Sequence, residues 1–235
     1  MKKILNSTTP ASFAEEYIVN SIWSGQFSSG SSLPSERCLA EVIGVTRTTL
    51  REVLQRLARS GWLSIQHGKR TIINNVWETA SLNVLDTLVE LDNKSFMQLP
   101  EQLLEFKTQL SSIYYRLAIK NDALAMGKIF SKACELEDSA PAYVLFDWQA
   151  QRQCALLTGN PIYTLALNGF EKTFFKVGHN YFNNEETRSL AKAHYLDIYK
   201  ISLNGNVSQL NSSIWNYGKE SSNLLRSRSS LEKTD

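Results

Sequence analysis

The sequence predicts a mainly α-helical fold with a small β wing: an N-terminal winged helix-turn-helix, then a C-terminal all-α helical bundle. Between residues 36 and 73, two short helical periods flank a glycine and precede two alternating apolar runs. After residue 75 the apolar residues follow long helical periods and no alternating run recurs. The chain of 235 residues is long enough for two modest domains, which we place at residues 1–76 and 77–235.

The first predicted helix covers residues 11–24. Its inward side chains are expected to be Phe13, Tyr17, Ile18 and Ile22. A loop rich in glycine and serine follows, and Pro34 opens the next helix. Arg37 stands one turn into that helix, at the spacing that allows an ion pair with Glu41.

A helix-turn-helix is predicted around Gly44. The helix before it covers residues 36–43, where the apolar residues at helical spacing are Leu39, Ala40, Val42 and Ile43. Gly44 can end that helix because glycine adopts positive φ without strain, and Thr46 stands where the next helix needs its N-cap. The apolar face of the second helix is formed by Leu50, Val53, Leu54, Leu57 and Ala58.

The other face of the second helix carries the chemistry. Its first turn and a half holds Thr46, Arg47, Thr48, Thr49 and Arg51. Hydroxyls and helix-start N–H groups bind phosphate oxygens, and an arginine fork matches the two acceptors on the major-groove edge of guanine. From Gly44 to Arg70 the chain has six Lys/Arg and one acid. This bias favours DNA recognition over an ordinary solvated helical hairpin.

A basic hairpin is predicted to follow the second helix. Alternating runs at residues 62–65 and 71–73 predict two strands, joined by a turn over residues 66–70. His67, Gly68 and Lys69 stand at the tip. We expect them to contact a DNA minor groove, whose negative potential attracts basic side chains. The alternative for His67 is an ordinary histidine of a surface loop.

The second domain is predicted to begin with a linker helix within residues 77–92. Further helices, about six or seven in all, are expected from Pro100 onward and over residues 122–138, 143–157, 162–177, 185–203 and 207–225. In the last of them Gly218 and Ser221 lie in or beside the apolar seam. Small residues there either leave room for a ligand or allow two helices to approach closely, and sequence alone leaves both open.

Charge and cysteine usage indicate a cytoplasmic protein with one basic end. Residues 1–78 hold nine Lys/Arg and six acids, whereas residues 79–235 hold sixteen and seventeen. The basic part coincides with the predicted helix-turn-helix. Cys38, Cys134 and Cys154 lack metal-site spacing and are expected to be reduced thiols. Neither a signal peptide nor a membrane span is expected.

Three stretches resemble the GntR family of winged-helix repressors, namely Leu33–Arg37, Gly44–Leu57 and Gly61–Lys69. Gly61–Lys69 and Asn74–Thr79 are closest to its subfamily of acyl-CoA-responsive regulators of bacterial fatty-acid metabolism. The resemblance covers nearly the whole chain and is densest in the first eighty residues. It implies that Arg37 reaches the operator as well.

The resemblance also implies an effector and a mode of action. A homodimer would present two recognition helices to a palindromic operator in double-stranded DNA. It would repress fatty-acid degradation genes, activate unsaturated fatty-acid synthesis genes, and leave the operator when long-chain acyl-CoA binds. The implied ligand residues are Tyr217, Gly218 and Ser221, with Tyr181 as a weaker candidate. Lys107, expected at the pocket rim, replaces an arginine that meets the CoA phosphates, and Leu225 replaces a tryptophan.

A metal site and a catalytic site are not expected. Many GntR relatives hold a divalent metal with an aspartate and three histidines. Asp147 could match that aspartate, but Gln151 stands four residues on, and only His179 and His194 remain in this domain. No nucleophile elbow, phosphate-binding loop or zinc-protease motif is present in the sequence.

Two other functions compete with the acyl-CoA-responsive regulator. The nearer one is a GntR-type repressor that senses a different small ligand, such as a carboxylate. The other is an acyl-CoA enzyme or carrier with an incidental DNA-binding domain, because a fold alone does not decide function.

Overall fold

The computed structural model describes residues 9–90 and 99–231. Their contacts separate them into two units, with the division between residues 91 and 92. Helices dominate both units, and the strands within the described ranges form one two-stranded sheet. The predicted fold class is confirmed. Across the same residues no helix has both the length and the apolarity that a membrane crossing requires.

Three capped helices form the core of the first unit: α1 (Pro10–Trp23), α2 (Glu36–Ile43) and α3 (Arg47–Arg59). The N-cap side chains of Thr9, Ser35 and Thr46 each accept a hydrogen bond from a backbone N–H of the first turn. Gly44 ends α2 at φ 82°, as predicted. The apolar stripe of α3 is buried against its neighbours through Leu50, Val53, Leu54 and Leu57.

Phe13, which we expected in this core, lies at the surface, and so does the apolar residue Val42. Phe13 is 42% exposed and Val42 is 62% exposed. In α1 the buried stripe runs instead through Ala14, Ile18 and Val19, at the spacing of one helix face. The prediction for Phe13 was therefore wrong: size and apolarity suggested burial, but the helix faces its neighbours one residue further along.

The wing is a short hairpin with a third, bridging segment. Strands β1 (Leu63–Ser64) and β2 (Ile72–Ile73) pair antiparallel, with Leu63 opposite Ile73. On its other edge β2 receives a bridge from Ser32, and the N–H of Leu33 donates to the carbonyl of Thr71 at 2.9 Å. Both strands are shorter than predicted: Ile65 and Thr71 beside the tip lie outside the ladder, and so does Trp62 at its far end.

Gly61 packs closely against the segment that follows the wing. Its φ is 88°, and a Cβ there would lie 2.6 Å from the Cα of Ala80. The carbonyl of Gly61 accepts hydrogen bonds from Asn74 at 3.0 Å and from Thr79 at 2.8 Å. No residue other than glycine satisfies both the φ and the close approach.

Two short helices stand where we predicted one linker helix: α4 (Val76–Thr79) and α5 (Val84–Glu90). Ala80 is extended at φ −84° and ψ 159°, which separates them. The end of the predicted linker, at residues 91–92, lies outside the described residues. The domain boundary between residues 76 and 77 stays a prediction.

The second unit is a helical bundle around α6 (Leu99–Ser131), which packs against three other helices. A 3₁₀ turn (Lys132–Glu135) precedes α7 (Ala140–Leu157), α8 (Pro161–Asn168), α9 (Glu171–Phe182), α10 (Glu185–Asn204) and α11 (Val207–Leu231). Asp122 is non-helical at φ −157° and accepts the N–H of Ala125 at 2.8 Å. The bend in α6 thus falls where we predicted a new helix to begin.

The predicted helix over residues 162–177 is wrong, because α8 and α9 are separate. Asn168 ends α8, and Gly169 caps it. Phe170 then leaves the helical region at φ −133° and ψ 25°. Its ring is buried, with its centroid 5.8 Å from that of Phe106 on α6. Because of this break, α9 is a separate helix of the bundle.

Candidate DNA-binding surface and ligand pocket

The start of α3 exposes four of its five candidate DNA contacts to solvent. Thr46, Arg47, Thr48 and Arg51 are exposed, and Thr49 is half-buried. The hydroxyl of Thr46 accepts the N–H of Thr49 at 3.1 Å and lies 2.9 Å from the Thr49 hydroxyl. These two threonines therefore shape the helix start as well as offering hydroxyls to a phosphate.

The three candidate arginines differ in how firmly they are held. Arg37 donates to Glu41 at 3.1 Å, the intrahelical pair that its spacing allowed. Arg51 donates to Glu36 at 2.6 Å. Among the described residues, Arg47 makes no hydrogen bond or ion pair. Its guanidinium is thus the most available of the three for an outside acceptor.

The wing tip is exposed at each predicted contact: His67, Gly68 and Lys69. The N–H of Lys69 donates to the carbonyl of Gln66 at 3.2 Å, and Gly68 takes φ 73°. No neighbouring atom lies within 4 Å of a Cβ built on Gly68, so the turn conformation alone requires glycine there.

The second unit contains an apolar pocket between the start of α6, α9 and α11. Its cavity volume is about 70 Å³, and the pocket is partly open to solvent. A concave, mostly apolar lining with a few polar groups is typical of ligand sites. Its lining is formed by Pro100, Leu103, Leu104, Phe106, Lys107, Asp147, Phe170, Thr173, Phe174, Val177, Gly178, Tyr181, Phe182, Tyr217 and Leu225.

Four of the six predicted ligand residues line this pocket: Lys107, Tyr181, Tyr217 and Leu225. Gly218 does not, since a Cβ there would lie 2.5 Å from Cγ2 and 2.6 Å from Oγ1 of Thr108. Gly218 thus permits a close contact of α11 with α6, which is the second of the two possibilities that the sequence left open. Ser221 is fully buried behind the pocket lining, where its Oγ accepts a hydrogen bond from the hydroxyl of Tyr181 at 2.8 Å.

Lys107 lies inside the pocket and is paired there, rather than standing at an exposed rim. Its Nζ donates to Oδ2 of Asp147, a carboxylate that is 3% exposed. Gln151 donates to Oδ1 of Asp147 at 3.1 Å, and Tyr114 donates to Gln151 at 2.7 Å. Both oxygens of Asp147, the aspartate considered for a metal, therefore have protein partners. In the described residues no three metal-binding side chains cluster.

Tyr217 connects the pocket wall to a buried histidine. The ring of His194 stacks on Tyr217 with centroids 4.2 Å apart and planes 5° from parallel. Nδ1 of His194 lies 3.2 Å from the hydroxyl of Ser213. Burial, aided by the Lys107 charge, lowers the pKa of His194 to about 3. Its imidazole is therefore neutral at physiological pH.

Of the α9 wall of the pocket, sequence reasoning identified only Tyr181. Phe174, Val177, Gly178 and Tyr181 recur at three- and four-residue spacing along α9 and line the cavity. A Cβ at Gly178 would approach Val144 to 3.3 Å. A glycine within an aromatic helix stripe was the available signal. It was hidden because the predicted helix ended at residue 177, which left Gly178 and Tyr181 outside it.

A tryptophan backs the same wall. Trp148 is 3% exposed, and its ring centroid lies 5.0 Å from that of Phe174 and 5.8 Å from that of Phe175. Phe174 therefore separates the indole from the pocket space. Nothing in the spacing of Trp148 along α7 indicated this position.

Comparison with known proteins assigns a family to each unit. Residues 10–73 match the bacterial regulatory proteins of the gntR family, and residues 74–233 match the FadR C-terminal domain. A fatty acid metabolism regulator protein of Shewanella pealeana is 48% identical over 224 residues, covering 95% of this chain and 94% of that protein. One of Serratia proteamaculans is 44% identical over 232 residues, covering 99% and 97%.

A solved structure agrees in fold. The structure of Lar, which controls expression of the Listeria monocytogenes agr system, covers 93% of this chain and 97% of its own, with a TM-score of 0.57 and 18% identity. At that identity the likeness concerns the fold alone. The family matches and the full-length relatives together decide the assignment. The chain belongs to the gntR family of bacterial regulatory proteins, and within it to the regulators that carry a FadR C-terminal domain.

Proposed function

We propose that this DNA-binding transcription regulator of fatty acid metabolism leaves its operator when long-chain acyl-CoA fills the pocket of its second unit. The relatives of nearly equal length carry the name fatty acid metabolism regulator protein. The observation that carries the ligand proposal is the pocket itself, whose lining is almost entirely apolar. An acyl chain is the part of such a ligand that gains by leaving water.

The DNA half of the proposal rests on the start of α3, Arg37 and the wing tip. Arg47 and Arg51 are exposed beside hydroxyls that suit phosphates. A homodimer would place two copies of α3 on a palindromic operator. In this proposal the bound protein represses degradation genes and activates unsaturated fatty-acid synthesis genes. It acts without a cofactor, in the cytoplasm.

The ion pair in the pocket bears on which part of the ligand lies where. Because Asp147 neutralises Lys107, this end of the pocket offers no net positive charge. It therefore suits an uncharged acyl chain better than a free carboxylate, which would lie beside the buried acid. This favours acyl-CoA over the rival proposal of a small carboxylate effector.

The ligand must also distinguish two states of the protein. An effector shifts the DNA-binding equilibrium only by its difference in affinity for the DNA-bound and the released arrangement. A ligand that fits the space among α6, α9 and α11 in only one of the two arrangements would have that difference in affinity.

A gel shift tests the proposal with purified protein and a fatty-acid gene promoter. Oleoyl-CoA should release the protein at concentrations where oleate, free CoA and small carboxylic acids do not. Recovery of intact oleoyl-CoA after the incubation would exclude turnover and with it the enzyme alternative. Release by a small acid alone would overturn the acyl-CoA assignment.

A paired substitution tests whether the pocket is the binding site. Val177→Trp adds bulk inside the pocket, so release should need more oleoyl-CoA. Lys172→Trp places the same side chain at an exposed position of α9 and should leave release unchanged. Equal response of both variants to oleoyl-CoA would move the binding site elsewhere.

A further inference from the structure

An acid lies within the basic surface at the start of α3. Nε of Arg51 donates to Oε2 of Glu36 at 2.6 Å. The contact joins the first residue of α2 to the early part of α3. The side chain of Arg51 is 62% exposed and that of Glu36 is 36% exposed, so the acid is the more enclosed partner.

Glu36 stands in the first turn of α2, where an acid is favourable, but neither stability nor DNA affinity accounts for its contact with Arg51. A solvent-exposed ion pair contributes little to folding. A carboxylate beside a DNA-binding surface also repels the phosphates. Glu36 therefore weakens non-specific attraction to DNA while adding little to the fold.

The geometry of the pair gives Glu36 a different use. It engages the Nε edge of the guanidinium, and among the described residues the Nη groups of Arg51 have no other partner. A guanidinium held at one edge still presents two N–H donors to an acceptor pair. The two residues border a shallow hollow that is completed by Glu52, Leu54, Gln55 and Ile65.

We propose that Glu36 is a positioning residue, which fixes the guanidinium of Arg51 in the orientation that reads a guanine edge. The inference rests on the proposed DNA-binding role of Arg51. A side chain that is already oriented loses less conformational freedom on binding, which increases its contribution to affinity. The pair of Arg37 with Glu41 is looser, because its side chains are 78% and 68% exposed.

The test begins with an operator that the wild-type chain selects from random duplex DNA. Arg51→Ala identifies the base pair at which the preference for guanine is lost. Glu36→Ala should reduce the preference at that same base pair by about two- to tenfold. Glu36→Gln keeps an acceptor for Nε and should retain most of it.

Matched variants separate positioning from charge and from folding. Glu52→Ala removes one acid from α3 and should tighten binding to operator and random DNA alike, without changing base preference. Glu36→Met has a similar length and no acceptor, so it repeats the Glu36→Ala loss if that variant melts early. In the Arg51→Ala background, Glu36→Ala should change base preference no further.

The outcomes distinguish the two levels of the proposal. Unchanged guanine preference in Arg51→Ala would overturn the role of Arg51 and, with it, that of Glu36. Loss of preference in Arg51→Ala but not in Glu36→Ala and Glu36→Met would overturn the positioning role alone. An equal effect of Glu36→Ala with and without Arg51 would show that Glu36 acts by charge only.

Discussion

Arg47 differs from the other arginines of the candidate DNA surface, because it makes no hydrogen bond or ion pair among the described residues. At the residue scale, the Arg47 side chain can therefore contribute to DNA binding without contributing to the stability of the fold. The side chain contributes little to the folded chain and is free to meet a base edge. Arg37 and Arg51, by contrast, would have to share their guanidinium groups with acids.

Arg47→Ala should therefore abolish most operator preference and leave the melting temperature unchanged. One good bidentate base contact contributes about 1–3 kcal/mol of discrimination. Filter binding to operator and random DNA, with thermal melting in parallel, measures both effects. Arg59→Ala, in the last turn of α3, is the matched control. If Arg47→Ala binds operator with the wild-type preference, the assignment of this residue is wrong.

For the buried pair of Lys107 and Asp147 we predict the opposite, namely that a substitution has a large effect on stability. Lys107→Met would leave the Asp147 carboxylate buried without its cation, which costs about 3–5 kcal/mol. Lys107→Met with Asp147→Asn should recover most of that loss, because the amide still accepts from Gln151. Urea unfolding of both variants measures the difference. A double variant as unstable as the single one would contradict the pairing.

At the element scale, the close approach of α11 to α6 depends on Gly218. A glycine in a helix costs about 1 kcal/mol relative to alanine. Here the missing side chain gives room to Thr108, so the contact outweighs that cost. The sequence showed a small residue in a seam and left its purpose open. Deciding needed the position of a side chain 110 residues earlier in the sequence.

Gly218→Ala should lower the melting temperature, because overpacking by about 1–3 kcal/mol exceeds the gain in helix propensity. Thr108→Ala in the same chain should restore part of the loss. Gly127→Ala is the matched control, since its Cβ would lie 3.7 Å from that of Ser202, an ordinary contact. It should be neutral or stabilising. Equal destabilisation at positions 127 and 218 would overturn this explanation.

Contacts between residues that are distant in sequence cannot be read from the sequence, and this explains which elements sequence reasoning could predict. The caps at Thr46 and Gly44 and the stripe through Leu50 depend on neighbours within one turn or two, and they were confirmed. The burial of Phe13 and the split of α8 from α9 depend on partners far away in sequence. Four pocket residues came from a family resemblance, whereas Gly178 and the pairing of Lys107 needed the assembled bundle.

For the whole molecule, the two units have separate buried cores and are expected to unfold in distinguishable steps. Acid should affect the second unit through His194. Its pKa in the folded state is about 3, below the ordinary 6.5, so between these values the unfolded chain binds a proton that the folded chain does not. Stability is thus complete above about pH 6.5 and falls as the pH decreases.

Calorimetry between pH 7 and pH 5 should show the transition of the second unit moving to lower temperature. The expected slope reaches about 1.4 kcal/mol per pH unit. Carboxylates stay largely ionised in this range, so their contribution is small. His194→Gln removes the titrating group and should flatten the dependence, whatever it does to overall stability. An unchanged slope in that variant would assign the pH effect to another group.

Trp148 gives the chain an optical reporter of its own pocket. The emission of an indole depends on the packing and polarity around it, and the ring of Trp148 packs against Phe174, which lines the cavity. Titration with oleoyl-CoA should therefore change the emission of the wild-type chain, and Trp148→Phe should remove that change while ligand release from DNA persists. Trp215 is 52% exposed, so quenchers in the solvent would reduce its fluorescence instead. Occupancy of the proposed effector site can then be followed by the fluorescence of Trp148 alone, without labelling the protein or supplying DNA.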